Sequence, residues 1–263
     1  MELNALKRRQ LTQINTIIRD LRSAIMFITI LPAGKGSEFS ATGMIRFFPV
    51  VGMILGGLLV GMDQVASLFW TAPVVALMDV LFLVAVTGAF HLDGLGDAAD
   101  GLFSHRSRER ALEIMKDSRT GMMGLVAIFC MLSLKVAGIY AVKTTCTPFS
   151  TIWILFLIPA LSRAGMLFGI RFLNYGRKNT GTGHDLFEKP LPLKDFASVV
   201  LLVIFVFFLG VKGVVLLLVF GVTVFLLLGF YKIKMGCITG DMLGAMTEVT
   251  EAILFLTAGA TLL

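Results

Sequence analysis

Apolar runs of about 20 residues recur along this 263-residue chain, more often than any soluble core could use. A run of that length crosses the hydrocarbon layer as a helix, because backbone polar groups there must be bonded internally. Charged residues are 15% of the chain, against roughly 25% in soluble domains, so the water-facing surface is small. The expected fold class is an all-α, polytopic integral membrane helix bundle, with residues 1–263 forming a single domain.

The runs fall at 40–62, 73–90, 121–142, 151–172, 196–230 and from 240 to the end. The stretch 196–230 is broken at Gly210-Val211-Lys212-Gly213 and reads as two antiparallel spans joined by a tight turn, giving about seven spans. Ahead of them, residues 21–31 are apolar but too short to span. They read as an interfacial or re-entrant helix behind a basic segment carrying Lys7, Arg8, Arg9, Arg19 and Arg22. That mixed-polarity start is unlike a cleavable signal peptide.

Charge sets the orientation. With the N-terminus in the cytoplasm, cytoplasmic segments, with Arg46 and Arg171 near span edges, hold 19 of the 23 Lys and Arg; Lys135 and Arg163 lie within spans, and only Lys143 and Lys212 fall outside. The net charge of +6 therefore reports topology, and no nucleic-acid partner is expected. Cys130, Cys146 and Cys237 are far apart and read as small buried hydrophobes, not as a disulfide or zinc framework.

The chemistry concentrates after the second run, in His91-Leu92-Asp93-Gly94-Leu95-Gly96-Asp97-Ala98-Ala99-Asp100-Gly101. On a helix Asp93, Asp97 and Asp100 share one face. Like charges so spaced repel, and an oxygen-ligated divalent cation, Mg²⁺ or Mn²⁺, would relieve them. The alternative is a solvated helix end. His91 lies nearly opposite and is not grouped with them.

Further on, Lys116-Asp117-Ser118-Arg119 puts a fourth carboxylate beside cations, suiting Asp117 to metal and Lys116 or Arg119 to phosphate. Arg106, Arg108 and Arg110 read equally as lipid anchors. Arg163, deep in a span, suits either a phosphate or a bundle carboxylate, whereas Lys135 reads as snorkelling or internally paired. The loop Arg177-Lys178-Asn179-Thr180-Gly181-Thr182-Gly183-His184 could present cations and backbone N–H groups to phosphate. Asp241, Glu248 and Glu251 open the last run; Asp241 and Glu248 share a face and are read as site residues.

Three of these runs resemble the cobalamin synthase, or adenosylcobinamide-GDP ribazoletransferase, family: His91 to Gly101, Ile114-Met115-Lys116-Asp117-Ser118-Arg119-Thr120-Gly121, and Gly240-Asp241-Met242-Leu243-Gly244-Ala245. The resemblance implies a multi-pass, Mg²⁺-dependent transferase of prokaryotic cell membranes. It would join adenosylcobinamide-GDP to α-ribazole or its 5′-phosphate and release GMP, with its active site facing the cytoplasm. Under it, Asp93, Asp97, Asp100 and Asp117 hold one or two Mg²⁺, and one carboxylate such as Asp100 accepts the hydroxyl proton. Arg119, Arg177 and Lys178 then hold phosphates or the guanine nucleotide. The chain departs from the family pattern at Ala89-Phe90, where a Gly-Gly pair is expected, and at Thr120 and Met122-Met123.

The residues alone also admit a CDP-alcohol phosphotransferase or an aspartate-rich prenyltransferase, though the D-G-x-x-A-R start of the former is absent. A transporter would place its carboxylates nearer the bilayer midplane than this clustering does. The lipid bilayer is a partner in every reading, and a homo-oligomer is compatible with all of them.

Overall fold

The computed structural model describes residues 2–34, 39–117, 119–177 and 183–261. Its helices, in chain order, are α1 (Glu2–Ile28), α2 (Ala41–Met44), α3 (Phe48–Ala66), α4 (Ala72–Val86), α5 (Phe90–Leu102), α6 (Arg108–Ile114), α7 (Met122–Thr145), α8 (Pro148–Phe172), α9 (Ala197–Val206), α10 (Val211–Met235) and α11 (Gly240–Ala258). Among the described residues the only extended pairing is one parallel bridge between Tyr175 and Ile238.

Each apolar run is helical, but the runs are not equivalent. Among the described residues four helices are long and apolar enough to cross a membrane: Ala41–Ala66, α7, α8 and α10; α4 with α5 adds a fifth if that bent pair is one span. The protein is thus a multi-pass helical membrane protein, with four or five such spans where the sequence suggests about seven. Hydropathy reads a run without knowing its axis, which accounts for the difference. Helix α9 has 10 residues, and α11 brings Asp241, Glu248 and Glu251 into its 19.

The break in the second run matters most. At Gly88 and Ala89 the chain turns left-handed, with φ of +59° and +57°, and α5 leaves α4 at 88°. Ala89 N–H donates to Val84 O at 2.9 Å and Gly88 N–H to Ala85 O at 3.0 Å, the paired bonds that end a helix in a Schellman turn. Ala89 stands in the left-handed region, which disfavours side chains and favours glycine. With 13 residues, α5 is about 20 Å long, short of the ~30 Å hydrocarbon layer, so it does not cross by itself.

The N-terminal helix is longer than its apolar run suggests. Twenty-seven residues form α1, which leaves Leu11, Ile14 and Ile18 exposed along one side. Such an exposed apolar stripe suits a membrane surface. Asp20 fastens it to the bundle through Arg46 at 2.6 Å.

At the centre stand α8 and α11. Most of α8 is buried, and it packs closely along α3, where Gly52 and Gly56 lie directly on its backbone. Helix α11 packs against α5, α7 and α8. Proline at the first turn of α3, α4 and α8 starts these helices where no N–H partner is needed. One end of the bundle gathers α5, the N-termini of α7 and α11 and the C-terminus of α8.

Candidate active site

The site grows from a crossing of two helices at glycines. A Cβ on Gly94 would lie 3.0 Å from the backbone of Asp241, and one on Gly244 would lie 3.1 Å from His91 O. With hydrogens there instead, α5 and α11 approach closely, and Asp241 comes beside the acidic face of α5. Asp93 is exposed, while Asp97 and Asp241 are half-buried.

Electrostatics confirm the crowding. Burial first, then the charges of Asp93, Asp241 and Asp100, push the Asp97 carboxyl up to about 7, with Arg177 opposing. Arg177 reaches this point through the loop after α8. Gly176 N–H donates to Ile238 O and Ile238 N–H to Asn174 O, both at 2.9 Å, pinning the loop to the strand-like entry of α11. The Arg177 guanidinium then bonds Asp241 and, at 3.0 Å, Met115 O. Thr239 caps α11 by accepting from Met242 N–H and also donates to Asp241 Oδ2 at 3.3 Å.

The other carboxylates expected here have different company. Asp100 accepts from Gly121 N–H at 2.6 Å and Gly124 N–H at 2.8 Å, so it caps α7 from across the structure. A Cβ on either glycine would come 2.5 Å from an Asp100 oxygen. Asp117 is gripped by its neighbour Arg119, at 2.6 Å, which holds its carboxyl down to about 2. Both side chains reach solvent, as does Lys116. Lys178 lies outside the described residues.

Arg163 and Glu248 are placed below the site, not in it. Lys135 Nζ bonds Glu248 at 2.5 Å and Glu251 at 2.7 Å, while Arg163 pairs with Glu251 and donates to Ser162 Oγ at 2.9 Å. All four charges are nearly fully buried, and their signs balance. Burying a lone charge is prohibitive, so the network explains why they can sit inside a bundle. Lys135 is internally paired as its sequence position suggests. Glu251 proves to be the hub, joining both cations.

A second buried cluster went unread. Near the opposite end Lys143 Nζ pairs with Asp63 and bonds Ser67 Oγ at 3.1 Å, and Asp79 beside them is fully buried. The sequence did carry a signal, since Asp79 is an acid within an apolar run.

Between α5, α11 and the aromatic cluster at the end of α1 opens a cavity of about 210 Å³. Asp93 and Asp241 form its polar side; Phe27, Phe48, Phe90 and Leu243 form its apolar side.

Among the described residues no three His, Cys, Asp or Glu groups stand together as a metal cage. Mg²⁺, however, is commonly held by one or two carboxylates with substrate phosphates completing the shell. Asp93 and Asp97, one turn apart, supply that donor set, and the upward pull on Asp97 marks a site where added positive charge is favourable. The residues therefore fit the ion.

The family described as Cobalamin-5-phosphate synthase matches residues 20–259. Relatives named adenosylcobinamide-GDP ribazoletransferase include one from Alkaliphilus metalliredigens, 36% identical over 87% of this chain and 90% of its own. Another, from Acetivibrio thermocellus, is 32% identical over 86% and 91%, and one from Sinorhizobium medicae is 33% identical over 92% and 96%. No solved structure matches the chain.

Proposed function

The chain belongs to the cobalamin-5-phosphate synthase family, and from that premise we propose that it is an adenosylcobinamide-GDP ribazoletransferase. It joins adenosylcobinamide-GDP to α-ribazole, or to α-ribazole 5′-phosphate, and releases GMP as the last step of cobalamin assembly. The observation that carries the reading is the convergence of Asp93, Asp97 and Asp241 with Arg177 at one end of a membrane bundle.

Release of GMP fixes the bond that changes. A ribazole hydroxyl attacks the phosphorus attached to cobinamide, a new P–O bond forms, and the anhydride P–O bond to the GMP phosphate breaks. The hydroxyl proton passes to a cavity-lining carboxylate, Asp93 or Asp241. Asp100 is poorly disposed for that task, because both its oxygens already accept backbone N–H groups.

Asp93 and Asp97 would hold Mg²⁺, with Mn²⁺ as a substitute. When bound, the ion supplies neutralisation of the diphosphate charge and of the departing phosphate. Arg177 orients Asp241 and brings a fixed cation to the same place, where an anionic leaving group is favoured. Lys116, Asp117 and Arg119 stand on the neighbouring exposed loop and offer charge to the nucleotide portion. We place this end on the cytoplasmic side of a prokaryotic membrane, as the bias of Lys and Arg supports.

The test uses purified protein in detergent with adenosylcobinamide-GDP, α-ribazole and Mg²⁺. GMP should appear with the two substrates together and stop on chelation. A folded preparation that releases none would overturn the reading, and undiminished release under chelation would remove the metal from it.

A further inference from the structure

His91 is the residue that the phosphate chemistry leaves unused. It is 1% exposed, and among the described residues neither ring nitrogen has a hydrogen-bond partner. An unbonded buried imidazole carries a desolvation penalty that leucine or phenylalanine at this position would avoid. His91 is also among the residues that line the cavity, together with Asp93 and Asp241.

Three phenylalanines, Phe27, Phe48 and Phe90, stand in the lining beside Met166, Leu186, Leu243 and glycines. Phe27 and Phe48 stack with ring centroids 6.1 Å apart at 9°, Phe90 meets Phe27 edge-on at 5.5 Å, and His91 lies 5.6 Å from Phe90. Flat apolar groups add readily to such stacks. A closed cavity of ~150 Å³ already admits benzene, and this one measures about 210 Å³ with Asp93 and Asp241 in its lining. Both nitrogens of a neutral imidazole can bond, one as donor and one as acceptor.

We infer that this cavity seats the aromatic base of the incoming nucleoside, with His91 hydrogen-bonding the nucleoside as a specificity-determining residue. The inference rests on the transfer reaction proposed above, and it divides the site. The diphosphate substrate takes the acidic mouth with Arg177, while the acceptor enters base-first between α1, α3 and α5. Its sugar hydroxyls then emerge at Asp93 and Asp241, where the phosphorus is presented. The charges facing His91 from beneath are Arg163, Glu251 and Lys135. Arg163 Nε also lacks a partner, so a water shared by the two side chains is the rival account.

The deciding measurements are the KM of each substrate and direct equilibrium binding of α-ribazole to the full chain in detergent. His91→Leu should raise the KM and Kd for α-ribazole about tenfold, the worth of one well-made hydrogen bond in a closed site. The KM for adenosylcobinamide-GDP should stay within about twofold. His91→Gln, which can still donate and accept, should recover most of the loss, and Phe27→Leu should weaken the nucleoside alone. A shared water predicts otherwise: melting temperature falls while nucleoside affinity holds, and that result overturns the inference. So does an equal rise in both KM values. If His91→Leu does not fold, His91→Gln and Phe27→Leu decide by the same readings. Absence of GMP release from the unaltered protein would indict the transfer reaction instead, and the binding measurement would still judge the pocket.

Discussion

Removing Lys135 should cost this protein more stability than removing any surface charge. Its ammonium is the cation bonded to Glu248, at 2.5 Å, and it shares Glu251 with Arg163. In Lys135→Met the side chain keeps an unbranched apolar stem, one atom shorter, but Glu248 is left buried with no cation. Breaking a buried pair in this way costs about 3–5 kcal/mol, most of it the penalty of the orphaned charge. For a chain of this size each kcal/mol lowers the melting temperature by roughly 2–4 °C, so a fall of about 6–20 °C is expected. The assay is thermal unfolding in detergent, with Glu248→Gln and the double variant completing a cycle. Because the double variant removes the orphan while Glu251 keeps Arg163 and Ser162, it should be more stable than Lys135→Met alone. Melting within about 1 °C of the unaltered protein, or a double variant no better than the single, would refute the network as the reason these charges are buried.

Four other outcomes follow from the same geometry. Ala89→Gly relieves a left-handed alanine, a strain of ~1–2 kcal/mol, against ~0.5–1 kcal/mol of extra chain entropy, so unfolding should shift upward by about a degree or more. Gly124→Ala puts a methyl 2.5 Å from Asp100 Oδ2; losing the cap on α7 should cost about 1–2 kcal/mol in the same assay. Asp97 is pushed up to about 7, so protons compete with Mg²⁺ there: calorimetry should find proton release on binding near neutral pH and weaker binding as pH falls below 7. Asp93→Asn should reduce Mg²⁺-dependent GMP release by about 10²-fold or more without lowering the melting temperature, and near-normal turnover would remove Asp93 from the ion.

Much of the architecture was legible in the sequence because hydrophobicity is local. Long apolar runs specify helices in lipid whatever surrounds them. The acidic run, Lys116 to Arg119, Arg177 and Asp241 could all be singled out as ionisable groups beside such runs. Even the site of the α4–α5 bend left a trace, since the family pattern expects glycines where this chain has Ala89-Phe90.

Partnership was not legible. Four carboxylates on neighbouring segments look alike in sequence. In the fold, Asp93 and Asp97 stay open, Asp241 joins them across a glycine crossing, and Asp100 and Asp117 turn to a helix cap and an arginine. Arg163 suited a phosphate or a bundle carboxylate equally, and Glu248 read as a site residue, until α7, α8 and α11 brought Glu251 to the one and Lys135 to the other. Sequence determined which residues were too costly to bury alone, because that cost belongs to each side chain. Tertiary structure decided what offsets the cost, because a charge 3 Å from its partner and one left for substrate differ only in what the rest of the chain places beside them.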